Sequence, residues 1–314
     1  MSPLPDRTAV EAAAARIAGH VRVTPVLALE RGAFGSGPAC QLALKLESLQ
    51  HAGSFKPRGA LNCVLTAGTQ ADAGLIAASG GNHGAAVAWV ARMLGVPAEI
   101  FVPAIASPAK IQRLRDFGAM VHVGGADYTE ALVACETRRA ESGALAIHAY
   151  DDADVVAGAG TLAREFEQQT AALDSVLVAV GGGGLLGGLL AWWGKRVRVI
   201  AVESAGCPTL HNALAAGHPV DVAVSGLVAD SLGARRIGAI GWQLVRQYPV
   251  TSLLVDDNAI RAAQRALWRD VRVVAEPGGA TALAALHSGA WHPAPGERVG
   301  VIVCGGNADL AALV

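Results

Sequence analysis

The stretch Gly53-Ser54-Phe55-Lys56-Pro57-Arg58-Gly59-Ala60 joins a lysine to residues that would hold it still. Pro57 and Gly59 fit a tight turn that opens into the helical pattern of Leu61 to Thr66. A lysine fixed at a loop-to-helix junction suits the formation of a Schiff base with a carbonyl. It must attack as the neutral amine, so its pKa has to fall from about 10.4 to about 7–8. Taken alone, the octapeptide also fits an ordinary surface lysine among turn residues. A second chemical feature is Gly181-Gly182-Gly183-Gly184, which follows one apolar run and opens another. Backbone N–H groups of such a loop, with a helix N-terminus behind them, bind phosphate. The loop holds no Lys or Arg, and the missing Walker lysine argues against a nucleotide P-loop. Gly182-x-Gly184-x-x-Gly187 does satisfy the dinucleotide fingerprint, with Glu203 about where a ribose-binding acid belongs. For this loop alone, a dinucleotide, another phosphate and plain packing all stay open.

Lys56 decides among them. A phosphate cradle plus a poised lysine matches pyridoxal 5′-phosphate (PLP), which carries an aldehyde at one end and a phosphate at the other. Asn82 then reads either as a hydrogen-bond partner of the ring hydroxyl or as an ordinary helix cap. Cys304 either faces the ring nitrogen or is a buried, inert thiol.

The elements that must position these residues follow in order. Thr8-Ala9-Val10-Glu11 is a capping box ahead of an alanine-rich helix to about Gly19. Val23 to Val26 is extended around Pro25. Gln41 to Glu47 is a strand leading into the lysine loop, with Leu42, Leu44 and Leu46 on one face and Ala43, Lys45 and Glu47 on the other. Strand Leu75 to Ala78 runs into Ser79-Gly80-Gly81-Asn82-His83-Gly84 and a helix to Leu94, which Gly95 stops. Next come a strand over 96–102, a helix from Ser107-Pro108 to near Gly118, a strand over 119–123, a helix over 128–142 and a strand near Ile147. The second half repeats the alternation, with helix 160–169, strand 175–180, the tetraglycine, a helix through Trp193 and strand 197–202. Helix 235–247, strand 252–255, a helix capped by Asp256 or Asp257, helix 279–287 and strand 299–303 complete the chain up to Cys304-Gly305-Gly306-Asn307. Strand–helix alternation implies an α/β fold with open, mostly parallel sheets covered on both faces. Four loops, around Lys56, Ser79–Gly84, Gly181–Gly184 and Cys304–Asn307, lie at carboxyl ends of strands, where parallel sheets bind ligands.

Composition agrees with an enzyme. The 314 residues make one large or two ordinary domains, and 52% apolar against 16% charged residues argues against disorder. A net charge of −1 with mixed signs gives no footprint for nucleic acid or an anionic membrane. Cys40, Cys63, Cys135, Cys207 and Cys304 show no paired spacing, which implies reduced thiols and a cytoplasmic home. Met1 to Val10 lacks an apolar core, so no signal peptide is expected. Ser175 to Gly194 is uncharged and long enough to span a bilayer, yet its four glycines suit a strand, a turn and a buried helix better.

The octapeptide, Ser79–Gly84, Gly181-Gly182-Gly183-Gly184-Leu185, Glu276-Pro277-Gly278-Gly279-Ala280 and Cys304–Asn307 together resemble the threonine/serine dehydratase family. These are PLP enzymes of fold type II, the tryptophan synthase β fold, and the resemblance spans nearly the whole chain. It implies that Lys56 is the Schiff-base lysine, that Phe55 packs beside the ring and that Asn82 binds the ring hydroxyl. It implies further that Gly181, Gly182, Gly183, Gly184 and Leu185 hold the phosphate, that Cys304 contacts the pyridine nitrogen and that Glu276 lines the pocket. Ser79, Gly80, Gly81, Asn82 and His83, with Ser54, would grip the substrate carboxylate. The implied layout is a PLP-binding domain of residues 1–66 and 151–314, a small α/β domain of 67–150, the cofactor in the cleft and a homodimer. The implied reaction is loss of water from L-threonine or L-serine to give 2-oxobutanoate or pyruvate and ammonia. The cofactor phosphate is the expected acid, because the loops offer no acidic side chain.

Departures from the family pattern shape the alternatives. Racemases of the family carry a serine where this chain has Gly80, which cannot transfer a proton, so serine racemisation is disfavoured. Relatives that bind a divalent cation use an acidic strand-end residue, as Glu203 is, plus an aspartate a few residues later; here Cys207 and Thr209 follow instead, so no metal ligand is named and only a carbonyl-rich divalent-cation site stays open. Arg235 and Arg236 either help bind an acidic side chain, as in 3-hydroxyaspartate, or form a solvated helix start. The last site loop is followed closely by Val314, so a regulatory domain of the biosynthetic type is not expected. From other classes come an NAD(P)-dependent oxidoreductase, resting on the glycine fingerprint, and a catalytically silent PLP-binding protein.

Overall fold

Short runs rich in Val, Ile, Leu and Ala become strands in the computed structural model, which describes residues 3–37 and 40–309. In chain order they are β1 (Val26–Leu29), β2 (Gln41–Leu46), β3 (Leu75–Ala78), β4 (Ala98–Val102), β5 (Met120–Val123), β6 (Leu145–Ala146), β7 (Ser175–Ala179), β8 (Arg198–Ser204), β9 (Val250–Val255) and β10 (Arg298–Val303). The α-helices are α1 (Arg7–Ile17), α2 (Lys56–Ala67), α3 (Asn82–Leu94), α4 (Pro108–Asp116), α5 (Tyr128–Ser142), α6 (Ala153–Gln169), α7 (Gly184–Trp193), α8 (Thr209–Ala216), α9 (Ala229–Leu232), α10 (Ala239–Gln247), α11 (Asp257–Val271) and α12 (Pro277–His287).

The strands form a six-stranded sheet, β1-β2-β10-β7-β8-β9, and a four-stranded sheet, β5-β4-β3-β6. All pairings are parallel except that of β1 with β2. Val176, Leu177, Val178, Val199 and Ile200 are fully buried, as expected of strands covered on both faces. β10 lies between β2 and β7, with Val303 beside Leu46 and Val301 beside Leu177. The loops leaving these three strands therefore emerge side by side.

Two helices depend on α6. A Cβ on Gly158 would stand 2.4 Å from the Arg58 carbonyl oxygen of α2, and one on Gly59 2.6 Å from that of Val155. On the α7 side, a Cβ on Gly188 would stand 2.5 Å from the Gly160 nitrogen. Glycine thus lets α2 and α7 press on α6 backbone to backbone, and these two helices begin with Lys56 and at the tetraglycine.

Several elements differ from the sequence reading. The cap of α1 is Asp6, whose side chain accepts from the Ala9 N–H at 2.9 Å, and not Thr8. Helix α6 starts at Ala153, capped by Asp152, and not at Gly160; Gly158 and Gly160 lower helix propensity but serve close packing. α10 starts at Ala239, so Arg235 and Arg236 precede it. β2 ends at Leu46, so Glu47 lies just past it; Lys45 and Glu47 are both fully buried. The ends of the chain on which the signal-peptide and regulatory-domain expectations rest, residues 1–2 and 310–314, lie outside the described residues.

Candidate active site

Lys56 opens α2, and its Nζ donates to the Ala149 carbonyl at 2.6 Å. Burial pushes its pKa down to about 8, against the upward pull of Cys304 and Glu276 nearby. The helix start is pinned from behind. Arg58, 1% exposed, pairs with Glu47 at 2.8 Å and with Glu165 at 3.0 Å. Lys45 completes this buried set by bonding Glu165 at 2.5 Å and the Thr24 carbonyl at 2.7 Å. Each charge has a partner of opposite sign, as burial requires.

The lysine loop is laced to the last loop. Phe55 N–H donates to the Cys304 carbonyl at 3.1 Å, Ser54 bridges to Gly305, and Gly306 N–H donates to the Gly53 carbonyl at 2.9 Å. The Ser54 hydroxyl is buried without a hydrogen-bond partner among the described residues. It leaves a free donor beside the loop that a ligand or a water can take. Lys56 Nζ stands 5.1 Å from the centroid of the Phe55 ring. The Cys304 thiol donates to the Gly278 carbonyl at 3.5 Å, and burial pushes its pKa up to about 12. It is a neutral thiol, even less able to protonate a ring nitrogen than an ordinary cysteine.

The asparagine loop meets both. Asn82 is the first residue of α3, and its Nδ2 donates to Glu276 Oε1 at 2.5 Å. Its Oδ1 accepts from Asn307 Nδ2 at 2.7 Å. Burial lifts the Glu276 carboxyl to about 7 although the Asn82 bond resists. Glu276 thus sets an acidic side chain directly beside Asn82. His83 is turned away from the cleft mouth, its Nε2 2.8 Å from the Ile147 carbonyl. Burial, then the nearby Lys56, push its pKa down to about 3, so the ring is neutral with its proton on Nε2. Only the His83 backbone N–H is left for a substrate. The first N–H groups of a helix have no intrahelical acceptor, so the start of α3 around Gly81, Asn82 and His83 is a place for a carboxylate. Ser79 Oγ accepts from the Gly81 N–H at 3.4 Å. At Gly80 a Cβ would lie 3.5 Å from Val102 Cγ1, an ordinary contact.

The tetraglycine leads from β7 into α7. Gly183 is left-handed at φ 86°, and the Gly187 N–H closes onto the Gly183 carbonyl at 2.8 Å. A Cβ on Gly182 would lie 2.3 Å from the Tyr150 ring and one on Gly184 2.9 Å from Tyr150 Cβ, so side chains are excluded and backbone is presented. Leu185 buries its side chain in the core, which leaves its N–H as its contribution. Thr209 Oγ1 props the loop by donating to the Gly181 carbonyl at 2.6 Å.

Glu203 lies elsewhere than two readings required. Its carboxylate accepts from the Leu210 and His211 N–H groups at 2.7 and 2.8 Å. It caps α8 from inside, buried enough to raise its pKa to about 7. Both of its oxygens are thus engaged by the start of α8. Among the described residues, no three His, Cys, Asp or Glu side chains are grouped to hold a metal ion. Arg236 pairs with Asp221 at 3.0 Å and with the Pro219 carbonyl at 2.6 Å on the surface.

Sequence reasoning missed Ala149, Tyr150, Thr209 and the part played by Asn307. The first two follow β6, a fifth parallel strand whose carboxyl end also points into the cleft. The strand-end rule that located four loops would have located this one.

A buried amine with a lowered pKa, a backbone phosphate cradle and an orphaned hydroxyl fit PLP and a substrate carboxylate. Comparison with known proteins agrees. Residues 17–305 match the family described as pyridoxal-phosphate dependent enzyme. The chain is 36% identical over 312 residues to the phenylserine dehydratase of Ralstonia pickettii, covering 98% of this chain and 95% of the relative. It is 34% identical over 310 residues to the L-threonine ammonia-lyase of Geobacter sulfurreducens, covering 98% and 76%. The structure of maize serine racemase superposes with a TM-score of 0.92 at 31% identity, covering 99% of this chain and 96% of that one. The chain belongs to the pyridoxal-phosphate dependent enzymes of fold type II.

Proposed function

We propose that the protein is an ammonia-lyase that removes water from a β-hydroxy amino acid, L-threonine or L-serine. The products are a 2-oxo acid, 2-oxobutanoate or pyruvate, and ammonia. The observation that carries the reading is the Lys56 amine, buried at a helix start with its pKa lowered to about 8 between the strand-end loops.

PLP, when bound, supplies an aldehyde that takes up amines and a conjugated ring that stabilises negative charge at the α-carbon. Phe55, Asn82, Glu276 and Cys304 would line its ring, and Gly181, Gly182, Gly183, Gly184 and Leu185 would hold its phosphate by backbone N–H groups. The substrate carboxylate takes the hydroxyls of Ser54 and Ser79 and the N–H groups of Gly80 to His83, the Ser79 N–H being held by the Phe101 carbonyl at 3.0 Å. Lys56, neutral in good part near pH 8, would hold the cofactor through its aldehyde end and is the base placed to take the substrate α-proton. Glu276, with a pKa near 7, holds a proton close by at neutral pH. The reading includes a cytoplasmic homodimer, with residues 67–150 closing over a cofactor carried by 1–66 and 151–314.

Racemisation is the second reading, favoured by the likeness to maize serine racemase. Gly80 opposes it, because glycine offers no proton to the second face. The test begins with the visible spectrum of the purified protein before and after borohydride. A yellow band lost on reduction and absent in Lys56→Ala supports the lysine–PLP adduct. Ammonia and 2-oxo acid from serine, threonine or phenylserine then support elimination, whereas appearance of the opposite enantiomer without ammonia selects racemisation.

A further inference from the structure

Asn307 stands outside the cofactor-contacting residues, yet it governs one of them. Its Nδ2 donates to the Ala52 carbonyl at 2.8 Å and to Asn82 Oδ1 at 2.7 Å. The Ala52 oxygen can only accept, so the Asn307 atom facing it must be the nitrogen. The second hydrogen of that nitrogen faces Asn82, so the Asn82 atom opposite must be the oxygen. Asn82 Nδ2 is then forced toward Glu276, where it donates at 2.5 Å. One backbone carbonyl therefore fixes the polarity of two side-chain amides in series.

The surroundings hold Asn307 in this place. Among the described residues Ala52 is one of three non-glycine residues with positive φ, at 55°, a conformation that costs energy and aims its carbonyl. Gly53 has φ 73°, and a Cβ there would stand 2.3 Å from Asn307 Oδ1. Gly305 admits the Glu276 carboxylate at a distance no Cβ would tolerate.

We propose that Asn307 is a positioning residue that orients the Asn82 amide, so that its remaining N–H, and not its oxygen, faces the ring hydroxyl of PLP. This rests on the reading that Asn82 contacts that hydroxyl. An N–H donor stabilises the ionised hydroxyl, whereas a carbonyl oxygen would repel it, so amide orientation sets the electronic state of the bound ring.

The test compares wild type with Asn307→Asp, Asn307→Ala and Asn82→Ala in the PLP-loaded protein. Asn307→Asp places an acceptor against two acceptors and turns the Asn82 amide over. Its visible band should move in the same direction as that of Asn82→Ala, and PLP should leave about tenfold faster. Should Asn307→Asp not fold, Asn307→Ala removes the donor without adding charge and should move the band the same way. Bands and PLP release unchanged in the folded Asn307 variants, while Asn82→Ala shifts both, overturn the role of Asn307. A wild-type protein with no borohydride-sensitive band overturns the underlying reading instead.

Discussion

At the residue scale, the proposed chemistry depends on keeping Lys56 unprotonated. Burial disfavours its ammonium form, and the lowered value of about 8 gives the direction of a pH dependence. Below that value the amine is protonated and cannot attack; above it the amine is free. The rate at which PLP-free protein takes up the cofactor should therefore rise with pH through a midpoint near 8 and then level off. Stopped-flow absorbance would record it, and a rate still climbing at pH 10 would contradict the buried-amine account. Gly80 supports a second prediction. A serine there meets only ordinary contacts at its Cβ, 3.5 Å from Val102 Cγ1, and Gly80 has no positive φ. Gly80→Ser should fold normally and add a hydroxyl to the second face, raising the enantiomer formed per ammonia released by about tenfold or more. Chiral chromatography of the residual substrate measures that ratio.

At the scale of elements, α2 is held by charge and α6 by shape. Arg58 links β2, α2 and α6 through Glu47 and Glu165 beneath the helix start. Removing one member of a buried ionic set leaves the others uncompensated, so Arg58→Met should lower unfolding free energy by about 3–5 kcal/mol. Urea unfolding of the PLP-free variant would show this as a lower midpoint. Much of this scale was legible in the sequence. Strand–helix alternation and glycine stops located β3, α3 and α5, because local signals and tertiary packing agree there. Alternation in β2 also set Lys45 apart from the leucines, but it could not show the buried ionic cluster that Lys45 and Glu47 join, because its other members are distant in the chain. The start of α6 was lost because Gly158 and Gly160 lower helix propensity locally, whereas their value comes from helices distant in sequence. Tyr150 and Asn307 were invisible for a related reason: each acts through one contact with a residue far away in the chain.

At the scale of the whole molecule, two parallel sheets bring the carboxyl ends of β2, β3, β6, β7 and β10 to one cleft. The glycine contacts on α6 have a consequence for what that cleft accepts. Lys56 begins one helix pressed against α6, and the tetraglycine begins the other. With no side chains between them, the separation of amine and phosphate cradle is set by the girth of bare backbone. The three helices act as a calliper whose jaws cannot slide. An aromatic cofactor is equally unyielding, because its ring fixes the span from aldehyde to phosphate. Gly158→Ala would shim one jaw, its Cβ meeting the Arg58 carbonyl at 2.4 Å. Overpacking of this kind costs about 1–3 kcal/mol, and here part of that cost should appear as weaker PLP binding in equilibrium dialysis. A variant that melts lower yet binds PLP as tightly as wild type would mean the jaws are not a gauge. If the gauge is real, the enzyme recognises its cofactor partly by length, before any hydrogen bond to the ring is made.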